Sequence, residues 1–137
     1  MAAADSGDAT AAEAFLRYFA AMTIYSPEKR DALLKSLWPP PAYVARRDLY
    51  PPMVQETRLL DLTAAVEKFQ FPALIIGGRY DPYATPGFSY RLQKTIAGSR
   101  VVIFERSGHF PFFEEPEEFT RIVEQFLNES PPAKRNP

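Results

Sequence analysis

Two short apolar runs limit what this chain can fold into. Pro72-Ala73-Leu74-Ile75-Ile76-Gly77 and Arg100-Val101-Val102-Ile103-Phe104 are continuous rather than alternating, and polar loop signals follow both. Such runs read as strands buried on both faces, the mark of a parallel sheet covered by helices. Between them, Gly87 to Ile96 has a helical pattern that ends at Gly98, a favoured position just past a helix terminus. A last helix begins near Pro116, with Glu117 and Glu118 in a first turn that favours acidic residues. Phe119, Ile122, Val123, Phe126 and Leu127 give it one apolar stripe. Strand, helix, strand, helix is the order of a parallel sheet with crossover helices, an α/β fold.

The preceding half reads as interrupted helix. Thr10 to Thr23 is Ala-rich, with Phe15, Phe19 and Met22 at helical spacing and Leu16 alongside. Ser26-Pro27 offers a capping serine and a proline at the first helical position. The helix that follows should run to Trp38, with Leu33, Leu34 and Leu37 on one face, until Pro39-Pro40-Pro41 stops it. A short turn of helix is expected over Tyr43–Tyr50, and another over Asp61–Phe69 with Asp61 or Thr63 as its cap. The expected organisation is a disordered start (1–9), a helical segment (10–58), an α/β portion (59–130) and a disordered tail (131–137).

Composition closes off several classes of function. The net charge of −1 supplies no basic patch for nucleic acid or a membrane surface. The absence of cysteine removes thiolate nucleophiles and Cys-ligated zinc, and the single histidine, His109, precludes a His-rich metal centre. No apolar run approaches the roughly 18 residues of a membrane span. Met1–Ala14 is acidic and lacks the basic n-region of a secretory signal, so the expected setting is cytoplasmic. No cofactor is implied.

In parallel sheets, ligands sit beyond the carboxyl ends of the strands. Asp81 falls five residues past Ile76, and His109 five past Phe104. Alone, Asp81-Pro82 could be a turn and His109 an ordinary loop histidine. Together they suit a nucleophilic hydrolase, in which a carboxylate fixes the imidazole's tautomer and the imidazole takes the nucleophile's proton. Where the order is nucleophile, then acid, then base, the separation of 28 residues (109 − 81) leaves room for one helix and one strand.

Two motifs in register carry a family resemblance. Phe71-Pro72-Ala73-Leu74-Ile75-Ile76-Gly77-Gly78-Arg79-Tyr80-Asp81, followed by Pro86, resembles the acid-bearing strand and loop of α/β-hydrolases. Gly108-His109-Phe110-Pro111, followed by Glu114-Glu115-Pro116-Glu117-Glu118-Phe119, resembles their base loop and final helix. The resemblance covers roughly residues 60–128, and Gly-Arg-Tyr-Asp is similar to proline iminopeptidases. It implies the C-terminal part of a serine hydrolase acting on a small ester or a short peptide, with Asp81 and His109 as triad acid and base. Residues 10–50 would then belong to a cap over the active site.

The sequence departs from the family in two places. No G-x-S-x-G nucleophile elbow occurs; Gly87-Phe88-Ser89-Tyr90-Arg91 lacks the second glycine and falls where a helix begins. The residue after Asp81, acidic in some iminopeptidases, is Pro82, so recognition of a substrate amine would need another acid such as Glu13 or Glu56. Tyr80, Phe110 and Phe112 are candidates for lining the substrate pocket, with packing as the alternative role. The aromatics Phe15, Tyr18, Phe19, Tyr25, Trp38, Tyr43 and Tyr50 divide between the same two roles. Glu114, Glu115, Glu117 and Glu118 read as a solvated helix start rather than a metal cluster. Two parallel strands cannot cover a sheet by themselves. The resemblance therefore implies either a partner portion bearing the nucleophile or self-association through the open strand edge, and it leaves a noncatalytic module or an inactive truncated product as alternatives.

Overall fold

The computed structural model describes residues 9–37 and 60–129. The expected turn at Tyr43–Tyr50, together with Trp38, Glu56 and, apart from Ala9, both termini, lies outside the described residues. Two helices come first, α1 (Ala9–Thr23) and α2 (Pro27–Leu37). After the short α3 (Thr63–Val66) come β1 (Leu74–Gly78), α4 (Pro86–Thr95) and β2 (Arg100–Phe104). The helical turn α5 (Pro111–Glu114) and the helix α6 (Pro116–Glu129) complete the order.

The strands pair in parallel, from Leu74 opposite Arg100 to Gly78 opposite Phe104. Pro86 starts α4 from the first helical position, and Gly98, just beyond its end, has φ of +73°, the left-handed conformation that glycine adopts without steric cost. Asp61 accepts the Thr63 N–H at 2.9 Å at the start of α3. That helix is shorter than the expected 61–69 and closes in a turn at Lys68.

Both strands are only half-buried along most of their length, which corrects the expectation of strands buried on both faces. Only Gly77 and Gly78 in β1 and Phe104 in β2 are buried. On the described residues, α4 packs against the sheet and Phe119 of α6 meets Phe104 with ring centroids 6.1 Å apart. Two strands flanked this way have more apolar surface than those helices cover. The buried core lies elsewhere: Ala20, Ile24 and Leu33 pack together between α1 and α2, with Leu34, Phe110 and Phe113 against them.

The face of α1 also departs from expectation. Leu16, Ala20, Thr23 and Ile24 are buried, whereas Phe15 and Met22 are exposed and Phe19 is half-buried. The small Ala20 lets its neighbours pack close to the helix, so the larger residues flank the contact. On α6, Ile122 is buried, but Leu127 leaves the apolar stripe and is 64% exposed. The Ser26 hydroxyl donates to Glu28 at 2.6 Å, a different bond from the helix cap expected of it.

The sheet ladder continues beyond both strand ends. Arg79 N–H donates to the Phe104 carbonyl at 2.9 Å and Tyr80 N–H to the Ser107 carbonyl at 3.0 Å. The two loops thus touch backbone to backbone, and a Cβ on Gly78 would lie 1.9 Å from the Gly108 carbonyl oxygen. Gly78→Ala should therefore destabilise the chain by at least about 2 kcal/mol, the scale of a core overpacking. Gly87→Ala, whose Cβ would meet nothing closer than 3.8 Å, should cost nothing. Urea unfolding of the two variants checks this, and equal midpoints would contradict it.

Candidate active site

The register places Asp81 and His109 within reach of each other. Strand partners differ by 26 positions (100 − 74), whereas Asp81 and His109 differ by 28. The base loop thus runs two residues further than the acid loop before presenting its side chain. His109 Nδ1 lies 2.9 Å from Asp81 Oδ2. Asp81 Oδ1 accepts the N–H groups of Tyr83 at 2.8 Å and Ala84 at 3.1 Å, a turn closed on its own aspartate.

The Asp81 side chain is 5% exposed and that of His109 37%. Burial of Asp81 works to raise its pKa, but the Ala84 N–H, the His109 imidazole and the Tyr83 N–H together outweigh it and hold the carboxyl below its ordinary value. An ionised carboxylate only accepts hydrogen bonds, so His109 Nδ1 is the donor of the pair. This leaves Nε2 as the acceptor, and it has no hydrogen-bond partner among the described residues. The arrangement can take a proton at Nε2 and stabilise the resulting imidazolium.

Aromatic rings hold the imidazole in place. Tyr83 and Phe110 stand edge-on to His109 at 5.5 and 5.0 Å. Phe110 is half-buried and also meets Phe19 at 6.1 Å, so it joins the core to the base. Phe112 is exposed and packs beside Phe110 and Phe119. Tyr80 is exposed and stacks on Tyr25, with ring centroids 4.4 Å apart and planes 15° from parallel. Sequence reasoning missed Tyr83, although its place two residues after Asp81 was a usable signal.

The larger omission is Glu114. Read in sequence as solvent-facing, it is 5% exposed. One of its oxygens accepts the Gly108 N–H at 2.6 Å; the other accepts the N–H groups of Tyr25 at 2.8 Å and Ser26 at 3.1 Å. Glu115 is also largely buried, accepting from Arg106 N–H at 3.0 Å and the Ser107 hydroxyl at 2.8 Å. Only Glu117 and Glu118 form the expected exposed first turn of α6. The available signal was position: Glu114 follows Phe112-Phe113 and precedes the helix that Pro116 begins.

Other candidates do not gather at the pair. Ser89 is buried in α4, and a Cβ on Gly77 would lie 2.8 Å from its Oγ, so it packs under β1. Glu13 is exposed and bonded to Arg17 at 2.8 Å. A concavity of about 420 Å³ between α1 and α2 is lined by Glu13, Leu16, Arg17, Leu34 and Lys35, apart from the acid–base pair. Among the described residues, no group of three or more His, Asp or Glu side chains could hold a metal ion, and no helix is long and apolar enough to cross a membrane.

Because folding lowers the Asp81 pKa, its ionised form contributes stability that is fully present above the unfolded value, about 3.9. That contribution is lost as pH falls through the lower folded value. Asp81→Asn should therefore flatten the acid limb of a plot of unfolding midpoint against pH below about pH 4. An unchanged acid limb would show that the pair adds nothing to folding.

Comparison with known proteins bears on the family and the fold. The model of the alpha/beta hydrolase family matches residues 2–122. Proline iminopeptidase of Saccharolobus solfataricus is 35% identical over 69 residues, half of this chain and 22% of that protein. An alpha/beta fold family hydrolase from Bacillus anthracis superposes with a TM-score of 0.66 at 24% identity, over 86% of this chain and 42% of the other. A serine hydrolase involved in carbazole degradation, CarC, gives 0.60 at 26%, over 72% and 40%. This chain thus spans less than a quarter of that iminopeptidase and less than half of each of these solved structures. It belongs to the alpha/beta hydrolase family.

Proposed function

We propose that this chain supplies the acid and base of a serine-hydrolase site, Asp81 and His109, for cleavage of a small ester or a short peptide. The observation that carries the reading is the 2.9 Å contact between His109 Nδ1 and a buried carboxylate. Nε2 is left to take a proton from a nucleophile. The nucleophile would come from a segment outside this sequence, which contains no G-x-S-x-G. Ser89, buried under β1, does not suit the part. Proline iminopeptidase among the relatives supports peptide substrates, and CarC supports the serine class. The segment 10–58 is read as part of a cap, a reading supported by the way the end of α1 reaches the base loop.

In this mechanism His109 Nε2 accepts the proton of the attacking hydroxyl as its oxygen bonds to the substrate carbonyl carbon. The same proton then passes to the leaving alcohol or amine as the tetrahedral adduct collapses. Asp81 stays ionised and stabilises the imidazolium. Phe112 and Tyr80, exposed at the two loops, are the proposed substrate contacts.

A fluorophosphonate probe tests the reading. The chain alone should remain unlabelled, and a complex with a G-x-S-x-G-bearing hydrolase segment should be labelled on that segment's serine. In such a complex, His109→Ala should lower kcat by on the order of 1,000,000-fold. Asp81→Asn should lower it by on the order of 10,000-fold with KM little changed. Labelling of Ser89 in the isolated chain would refute the assignment.

A second reading has its own support. Among the described residues, the half-buried strand faces and the uncovered edges of a two-stranded sheet suit a module that self-associates or binds a partner without catalysis. It expects a stable oligomer of the isolated chain in analytical ultracentrifugation. A well-behaved monomer would count against it.

A further inference from the structure

The Glu114 carboxylate is a charge placed beside apolar packing, between the base loop and the turn that joins α1 to α2. Its three donors come from two segments more than 80 residues apart in sequence, Gly108 on one side and Tyr25 and Ser26 on the other. The next amide, that of His109, donates at 2.7 Å to the Thr23 carbonyl, two residues before Tyr25. Two consecutive N–H groups of the base loop are therefore held by the end of α1, one directly and one through Glu114. The space is tight: a Cβ on Gly108 would lie 2.1 Å from the Thr23 carbonyl oxygen and 3.4 Å from Glu114 Oε1. Lys29 Nζ donates to the carbonyls of Phe113 and Glu114, tying the same turn to α2.

We infer that Glu114 is a positioning residue for His109: by clamping Gly108 to the end of α1, it sets whether the imidazole meets Asp81. Its functional meaning rests on the acid–base reading above, while its geometry can be tested without turnover. Every group on the two carboxylate oxygens is an N–H donor. An amide at this position turns an NH2 group towards at least one of them, leaving a buried N–H unsatisfied. An NH2 group facing Gly108 breaks the clamp one residue before His109, and one facing Tyr25 and Ser26 breaks it at the turn between α1 and α2. Small displacements of an acid–base group cost catalysis heavily, so a bond at this point controls more than stability.

His109 is the only histidine in the sequence, so one imidazole signal set in a 15N-labelled sample reports the pair. The wild-type chain should show a low-field Nδ1–H protected from solvent. In Glu114→Gln that proton should exchange at least about tenfold faster, the factor expected when a hydrogen bond to a charged group is lost, and the tautomer mixture should shift towards Nε2–H. Ile122→Ala, which removes buried methylenes from α6, away from the α1–α2 cluster, should lower the unfolding midpoint and leave the imidazole signals unchanged. A folded Glu114→Gln with wild-type imidazole signals overturns the inference, as does an equal change in Ile122→Ala.

If Glu114→Gln does not fold, amide exchange in the wild type decides. Gly108, Tyr25 and Ser26, bonded to one carboxylate, should open together with protection within about threefold; a spread beyond about tenfold overturns the clamp. A wild-type chain with no protected Nδ1–H sinks the acid–base reading itself. Protection present in wild type and untouched by Glu114→Gln sinks this inference alone.

Discussion

The structure depends on a close meeting of three backbone segments: the end of β1 at Gly78, the base loop at Ser107 and Gly108, and the end of α1 at Thr23. No side chain fits between them, since added Cβ atoms would fall 1.9 Å from the Gly108 oxygen and 2.1 Å from the Thr23 oxygen. Because the contact is backbone to backbone, hydrogen bonds run straight across it, from Tyr80 to Ser107 and from His109 to Thr23. Glycine is needed here for space, whatever its backbone angles. Asp81 and His109 then inherit their relation from the sheet register and from this crossing, with little left to side-chain freedom.

Around the crossing, three carboxylates are held in one manner. Asp81 accepts two backbone N–H groups of its own turn, Glu114 accepts three across two segments, and Glu115 accepts Arg106 N–H and the Ser107 hydroxyl. Backbone donors are already ordered by the fold, so bonding to them costs little further entropy, unlike the pairing of two long side chains. The exposed pairs of Arg79 with Glu105, Arg121 with Glu118 and Arg100 with Glu129 are of that weaker kind. Of the three buried carboxylates, only Asp81 turns an oxygen to an imidazole. Glu115 spends its acceptors on the loop that carries that imidazole, and Glu114 divides its own between that loop and the turn after α1.

The order of elements and the approach of Asp81 to His109 were legible in sequence because each rests on a local signal. The β1 and β2 runs, Pro86 and Pro116 at helix starts, and Gly98 after a helix end act over a few residues. The 28-residue interval between Asp81 and His109 needed only a strand, a helix and their loops. The burial of Glu114 was not legible in that way. Its three donors lie at positions 25, 26 and 108, and nothing in the run Phe112-Phe113-Glu114-Glu115 names them. The α1 face was misread for a related reason: Phe15 and Met22 are the more hydrophobic residues, yet the contact is made where Ala20 and Thr23 leave room. Burial of the strands failed as an expectation because a continuous apolar run states a preference for cover, and the cover must come from other segments.

The distribution of burial bears on how the pair can be formed. The best-buried cluster joins α1 and α2 to Phe110 and Phe113, which follow His109 in the chain, while the strands that set the register are half-exposed. The imidazole is therefore anchored from the helical side and aligned from the sheet side. These supports have different origins: apolar packing through Phe110 in one case, backbone hydrogen bonds in the other. Phe110 belongs to both, since it stands edge-on to His109 and packs on Phe19. A change that loosens the sheet without touching the helices would leave His109 in place but move Asp81 relative to it. Loosening the helices would do the reverse. The 2.9 Å contact is thus the point at which the two halves of the described structure are coupled.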